Sequence, residues 1–145
     1  MVKKQLLKLP PHNLEAEQSV LGSILIDKDA ITKIADTLVA EDFYQPSHEK
    51  IYEAMIELFE RRQPLDVLSV SNRLKERGIL KEIGSSSYLA ELTNQVPTAS
   101  HIAAYAKIVK EKKILRDLIR ASAEITEDIF RDPGEVEDLL DNVEQ

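Results

Sequence analysis

Cysteine and tryptophan are absent from this 145-residue chain. Without a thiol it cannot form disulfides, thiolate metal sites or a cysteine nucleophile, and this absence fits a reducing cytoplasm. Aromatic residues make up only 5% of the sequence and hydrophobic residues 43%, so we expect a core built mostly of Leu, Ile, Val and Ala. The length suits one domain, or one domain with an appendage.

The chain also lacks an excess of positive charge. Its 26 acidic residues outnumber 19 basic ones, which gives a formal net charge of −7. Because binding to nucleic-acid phosphates requires clustered Lys and Arg, this balance argues against a dominant nucleic-acid contact. No apolar run approaches the length needed to cross a membrane, and Leu6-Leu7 is too short for a signal-peptide core. We therefore predict no membrane contact.

Motifs that supply catalysis are missing as well. No glycine precedes a lysine, so a G-x-x-x-x-G-K-[ST] phosphate loop is absent and a nucleotide site is unsupported. His12, His48 and His101 have no metal-binding spacing. His48, beside Glu49 at a helix start, could be a ligand or a base, but a hydrogen-bonded packing role is favoured. A small all-α enzyme would rest on His48 alone, so we predict no catalytic residue, metal or cofactor in this chain.

The most informative stretch runs from Thr98 to Arg131. It contains neither glycine nor proline and is rich in strong helix formers. We predict one helix of roughly 50 Å, at about 1.5 Å per residue. Thr98 would cap its start, and Pro133-Gly134 would end it. That length exceeds the width of a compact domain of this size.

The second half of this helix carries more apolar surface than one neighbouring helix covers. At about 100° per residue, apolar side chains fill half of its circumference: Ile114, Leu115, Leu118, Ile119, Ala121, Ile125, Ile129 and Phe130. An ordinary surface helix needs a stripe of only about 100°. Two interpretations follow: a core helix in a single bundle, or a projecting helix that joins subunits. The second is favoured.

In the residues before this helix, N-cap residues and a 3.6-residue apolar period predict about five shorter helices. Asn13 caps the first, and Gly22 inside it marks a point where another helix crosses closely. A second helix starts at Asp27, a third at Pro46, and Asp66 caps a fourth. We expect these helices to form one compact body.

The predicted architecture is completed by a turn at residues 84–87 (Gly-Ser-Ser-Ser) and a short fifth helix. Beyond Pro133-Gly134, an amphipathic stripe folds back on the long helix: Val136, Leu139, Leu140 and Val143. The expected fold is all-α, a globular head of about five helices followed by a long helix and a C-terminal helical hairpin. We expect a flexible arm at 1–12, the head at 13–97, and the hairpin at 98–145, leading toward a linker in a longer protein.

Short motifs then follow one another in a specific order and spacing: Leu9-Pro10-Pro11-His12-Asn13 with Glu15-Ala16-Glu17, Leu21-Gly22-Ser23-Ile24-Leu25, Asp42-Phe43-Tyr44 with His48, Pro64-Leu65-Asp66, Gly78-Ile79-Leu80, Tyr88-Leu89-Ala90-Glu91-Leu92, and Tyr105-Ala106-Lys107-Ile108-Val109. Together they resemble the N-terminal domain of the DnaB-type replicative DNA helicase, from Leu9 to about Phe130. Ser85 departs from the pattern, because members of this family often carry a second glycine there.

The resemblance implies a role in DNA replication. The parent protein would be a ring-shaped hexamer that unwinds DNA at the replication fork, with ATP and Mg in a separate RecA-like motor domain. The N-terminal domain would pair hairpins between subunits, giving dimers, a trimer of dimers or a hexamer. Its outer surface would dock the C-terminal domain of the DnaG-type primase and can meet a helicase loader. DNA contact would occur mainly through the parent, in the bacterial cytoplasm and associated with the nucleoid.

The geometry of the helix faces and the resemblance together suggest which residues contact other proteins. Subunit pairing is expected at Ile114, Leu118, Ile129, Leu139 and Leu140. Primase binding is expected at Glu15, Tyr88, Ile119 and Ile125. For the last three of these, packing in the core is the open alternative.

A competing hypothesis is a stand-alone helical nucleic-acid-binding protein. It rests on the lysines between residues 107 and 113. Glu111 and Asp117 dilute this cluster, so the sequence favours a solvated helix face.

Overall fold

The computed structural model describes residues 9–131 and 136–144. Within these residues the regular structure is entirely helical, without a β-strand. The elements, in chain order, are α1 (Leu14–Ile26), the 3-10 helices η1 (Lys28–Lys33) and η2 (Ala40–Asp42), α2 (Pro46–Glu60), α3 (Val67–Glu76), α4 (Leu80–Ile83), α5 (Ser85–Thr93), α6 (Ile102–Arg131) and α7 (Val136–Glu144). The prediction of an all-α fold is confirmed.

The chain divides into two compact units. The larger unit, which we call the head, spans residues 12–113, and the smaller, the hairpin unit, holds the described parts of 1–11 and 114–145. Helix α6 contributes its first half to the head and its second half to the hairpin unit. Residues 1–8 of the predicted arm and the predicted helix stop at Pro133-Gly134 lie outside the described residues.

The core of the head is aliphatic, as the composition predicted. Phe43 is buried, and Tyr52, also buried, packs against it with ring centroids 5.0 Å apart. The Tyr52 hydroxyl donates to the Leu38 carbonyl at 2.8 Å, which satisfies the polar end of an otherwise apolar contact. Burial, together with the negative charge of Asp42, raises the pKa of Tyr52, so this hydroxyl stays a neutral donor.

Capping residues fix two helix starts where the sequence predicted them. The Asn13 side chain accepts from the Ala16 amide at 2.9 Å, and Asp66 accepts from the Ser69 amide at 2.8 Å. These bonds satisfy amides that have no partner within the helix. The same bond to Ser69 lowers the pKa of Asp66, because it favours the charged carboxylate.

Two of the predicted helices differ from the structure. The long helix begins at Ile102 rather than Thr98, whose hydroxyl instead accepts from the Ser100 amide in a local turn. Buried Ala99 draws this segment toward the core before the helix can start. The segment after Asp27 is a 3-10 helix rather than an α-helix.

The serine run is not a turn, because α5 begins directly at Ser85. The turn is confined to Gly84, whose φ is +109°, and Ser85 follows with a φ of +64°. A side chain in this left-handed region costs roughly 1–2 kcal/mol. Glycine, which the resemblance led us to expect at Ser85, would adopt this backbone without that cost.

Gly22 lies where α1 crosses α5. A Cβ built on Gly22 would lie 2.2 Å from the Leu92 carbonyl oxygen, far inside van der Waals contact. Only glycine allows the two helices to approach this closely, and the predicted close crossing is confirmed.

Replacing Gly22 with alanine should therefore destabilise the chain by about 2 kcal/mol, since overpacking typically costs 1–3 kcal/mol. Ala would otherwise stabilise a helix interior by about 1 kcal/mol relative to Gly. Urea denaturation of Gly22→Ala measures the net effect. Gly78→Ala is the control, because its added methyl meets nothing within 4 Å and only backbone strain remains, at about 1 kcal/mol. A Gly22→Ala chain as stable as wild type would contradict the crossing.

Candidate docking and pairing surfaces

The hairpin-unit half of α6 leaves its apolar side uncovered. The exposed fraction of the side chains ranges from 43% at Leu115 to 86% at Phe130. The large apolar residues exposed on this helix half are Ile114, Leu115, Leu118, Ile119, Ile129 and Phe130. We call this set the α6 face. Contiguous exposed apolar surface of this kind marks an interaction site more often than a solvated surface.

Helix α7 covers only one edge of the α6 face. A groove of about 250 Å³ separates the two helices and is lined by Ile125 of α6 and by Leu139 and Val143 of α7. Leu140 is 58% exposed and Val136 69% exposed. Only half of the stripe predicted on α7 therefore turns toward α6, and the other half remains on the surface.

The residues predicted for subunit pairing fall into two environments. Ile114, Leu118, Ile129 and Leu140 are exposed, so they are free to meet another molecule. Leu139 is half-buried in the groove between α6 and α7, where it packs within its own chain. Their role in pairing stays a prediction.

The residues predicted for primase binding lie in both units. Glu15 is exposed on α1, and Ile119 is 57% exposed on the α6 face. Ile125 is half-buried in the α6–α7 groove. Tyr88 is half-buried on α5 and packs against the core of the head. Their contact with a partner also stays a prediction.

Tyr88 also belongs to a buried polar network that sequence reasoning missed. Glu17, on α1, is 1% exposed and accepts from the Tyr44 amide at 2.7 Å and from His48 Nδ1 at 2.8 Å. The Gln45 amide approaches the same carboxylate at 3.3 Å. One carboxylate thus fastens α1 to the start of α2, and these bonds offset the cost of burying it.

The second nitrogen of His48 connects this network to α5. Nε2 lies 2.6 Å from the Tyr88 hydroxyl, to which the Gln18 side-chain amide donates at 3.4 Å. These partners are consistent with one assignment of protons: Nδ1–H donates to Glu17, and the Tyr88 O–H donates to Nε2. Both ring nitrogens are occupied inside the protein, which confirms the hydrogen-bonded packing role for His48.

The only sequence signal for this network was the spacing of its members within the resemblance motifs. Glu17 and His48 each stand in a motif, 31 residues apart, yet neither periodicity nor composition relates one to the other. An acidic residue in the first turn of α1 reads as a helix-dipole partner. Its burial depends on the fold that brings α2 against α1.

A hydrogen bond joins the two sequence segments that form the hairpin unit. The Arg116 guanidinium donates to the Pro11 carbonyl at 2.8 Å, across 105 residues of sequence. No pattern indicated this bond, because a backbone carbonyl leaves no trace in the sequence.

The lysines between residues 107 and 113 are partly engaged in the head. Lys110 pairs with buried Asp42 at 2.7 Å, and Lys107 lies 3.9 Å from Glu111. Among the described residues, no group of three His, Cys, Asp or Glu side chains is placed to hold a metal ion. None of the helices described has the length and apolar character needed to cross a membrane.

Residues 9–111 match the family model of the DnaB-like helicase N terminal domain. The chain belongs to this family. The DnaB-type relatives include the replicative DNA helicase DnaC of Bacillus subtilis, 47% identical over 95% of this chain and 30% of the relative. The replicative DNA helicase DnaB of Geobacillus stearothermophilus is 41% identical over the same shares. The chain thus spans about 30% of the length of these relatives.

Two solved DnaB structures resemble the chain closely. The crystal structure of the N-terminal domain of DnaB helicase from Mycobacterium tuberculosis has a TM-score of 0.88 and 38% identity, covering 94% of this chain and 96% of that one. A DnaB-like replicative helicase, described together with its interactions with primase, has a TM-score of 0.76 and 29% identity, covering 90% of this chain and 31% of that one. The head and hairpin unit therefore correspond to the N-terminal domain of this helicase family.

Removal of the Tyr88 hydroxyl should destabilise the chain. Tyr88→Phe leaves the buried Nε2 of His48 without its partner, at a cost of about 1–2 kcal/mol in unfolding free energy. Tyr105→Phe is the matched control, since Tyr105 is also half-buried on the head and its hydroxyl makes no hydrogen bond to any residue that the structure describes. Urea denaturation of both variants makes the comparison. Equal stability of the two would show that the network contributes nothing through Tyr88.

Proposed function

We propose that this chain is a non-catalytic module of a replicative DNA helicase, which pairs subunits in the helicase ring and docks primase. The observation that carries the proposal is the α6 face, which the helices in the described part of the chain leave exposed. A module that only packed its own core would have no need of such a surface. Membership of the DnaB-like N-terminal domain family supplies the helicase context.

The energetics of the α6 face support pairing. Complete burial of one Leu or Ile side chain contributes about 1.5–3 kcal/mol. Leu118 and Ile129 are 58% and 49% exposed on one side of the helix, so a second copy could bury both at once. An isologous dimer would bring these residues of each copy together around a two-fold axis.

Primase docking is supported by a related protein and by the remaining exposed surface. The DnaB-like helicase of TM-score 0.76 was described together with its interactions with primase. Ile119 lies on the α6 face about 100° around the helix from Leu118, so one partner need not displace the other. Tyr88 presents a ring whose hydroxyl is already fixed from within by His48, and this fixed ring suits a contact that needs little ordering on binding.

Further features of the parent protein belong to the same proposal. A separate motor domain would bind ATP and Mg, contact DNA and unwind it in the bacterial cytoplasm. The assembly would be a dimer, a trimer of dimers or a hexamer, and a helicase loader would be a further partner. In this scheme the chain supplies contacts between proteins and the motor supplies the chemistry.

Self-association should depend on Leu118. Sedimentation of the wild-type chain is expected to show dimers or larger species, and Leu118→Asp should weaken association at least tenfold, equivalent to about 1.4 kcal/mol. The reason is that a charge would replace an apolar side chain at the interface. Leu68→Asp is the matched control, because Leu68 is 70% exposed but lies on α3 of the head. A wild-type chain that stays strictly monomeric when concentrated would refute the proposal.

Primase binding should depend on Tyr88 and Ile119. Titration with the C-terminal domain of a DnaG-type primase should show about a thirtyfold loss for Tyr88→Ala and for Ile119→Ala, the size of a 2 kcal/mol hot spot. Tyr88→Phe should lose much less affinity than Tyr88→Ala, because it keeps the half-buried ring and gives up only the hydroxyl that fixes it. Leu68→Ala should have no effect. Unchanged affinity in both alanine variants would exclude this docking surface.

A further inference from the structure

The head carries a groove that the proposed function leaves unused. It encloses about 340 Å³ between η1 and the first half of α6. Its floor is apolar and is formed by Ile34, Leu38 and Ala106, all of which belong to the core of the head. A floor of this kind, open at the surface, suits an aliphatic side chain of a partner.

The rim of the groove is mainly basic. Lys33 comes from η1, and Lys107 and Lys110 from α6, with Glu111 as the one acidic residue of the lining. Buried Asp42 holds Lys110 at 2.7 Å and so fixes its position. The pair of Lys107 with Glu111 is long, at 3.9 Å, and both side chains are well exposed, so it contributes little. Lys33 and Lys107 can therefore turn toward an acidic partner.

The outer side of α7 has complementary chemistry. Its sequence, VEDLLDNVE, contains four acidic residues and no basic one. At about 100° per residue, Glu137 and Asp141 lie opposite to Leu139, which lines the groove against α6, and both lie on the same side of Leu140, about 60° and about 100° around the helix from it. Leu140 is 58% exposed. This side of α7 therefore offers one exposed aliphatic side chain beside two carboxylates.

We propose that the head groove of one copy receives the outer side of α7 from a second copy. Leu140 would lie on the apolar floor, and Glu137 and Asp141 would face Lys33 and Lys107. The proposal rests on the proposed function, since it names a second contact within the same assembly. Unlike pairing through the α6 face, this contact joins two different surfaces, so it can link dimers into a closed ring.

Charge reversal tests the contact in the whole chain. Lys33→Glu with Lys107→Glu makes the groove acidic, and Glu137→Lys with Asp141→Lys makes α7 basic. Each double variant alone should assemble beyond the dimer at least about tenfold more weakly than wild type at low salt, because attraction becomes repulsion. An equimolar mixture of the two should restore assembly, since the acidic groove of one meets the basic helix of the other. Lys75→Glu, at an exposed position of α3 that does not line the groove, is the control.

The outcomes separate this inference from the proposed function. Dimers that persist in the double variants, with larger species lost and then restored in the mixture, would support it. Unchanged assembly in both double variants would overturn it, while loss of dimers in Leu118→Asp would still uphold pairing. Rescue only when all four substitutions share one chain would place the contact within a single copy and overturn it as well. A strictly monomeric wild type would overturn both.

Discussion

The uncovered apolar face of α6 is the constraint on which the account depends. The side chains from Ile114 to Phe130 belong to the half of α6 that lies in the hairpin unit, and α7 covers only the edge marked by Ile125. Each side chain that stays in water forgoes about 1.5–3 kcal/mol of burial. A fold that leaves several such residues together on one side gains most when another molecule covers them. In the proposed function, pairing and docking are the two ways in which such a molecule is supplied.

In the head the constraint is the opposite one, because there a polar side chain is buried and needs hydrogen-bond partners inside the protein. Glu17 is buried, and the amides of Tyr44 and Gln45 and the ring of His48 satisfy it. A buried carboxylate without such partners would be strongly destabilising, so α1, α2 and α5 must assemble in one arrangement. The network joins α1, α2 and α5, and the bond to His48 orients the half-buried Tyr88 ring. Internal bonds thus define the head, whereas in the proposed function contacts with other molecules complete the hairpin unit.

Local features of the fold were predictable because local chemistry determines them. Asn and Asp favour the cap position when they precede a helical pattern, as Asn13 and Asp66 do. Gly22 indicates a close helix crossing because it has no side chain. The α6 face was predictable from periodicity alone. Three other features could not be predicted, since each depends on which segments meet in space. They are the start of α6, the Glu17–His48–Tyr88 network and the bond from Arg116 to Pro11. The resemblance motifs were enough to identify the family. They could not distinguish Leu139, which packs within the chain, from exposed Leu140.

The central claim is that another copy covers the α6 face, and the absence of native cysteine allows a direct measurement. A thiol placed by Ser122→Cys lies on the apolar side of α6, between the directions of Leu118 and Leu115. A thiol placed by Glu127→Cys lies on the charged side. The alkylation rate of each thiol can be followed as the protein is concentrated. The account predicts that Ser122→Cys becomes protected while Glu127→Cys reacts as before. Equal rates for Ser122→Cys in dilute and concentrated protein would contradict it.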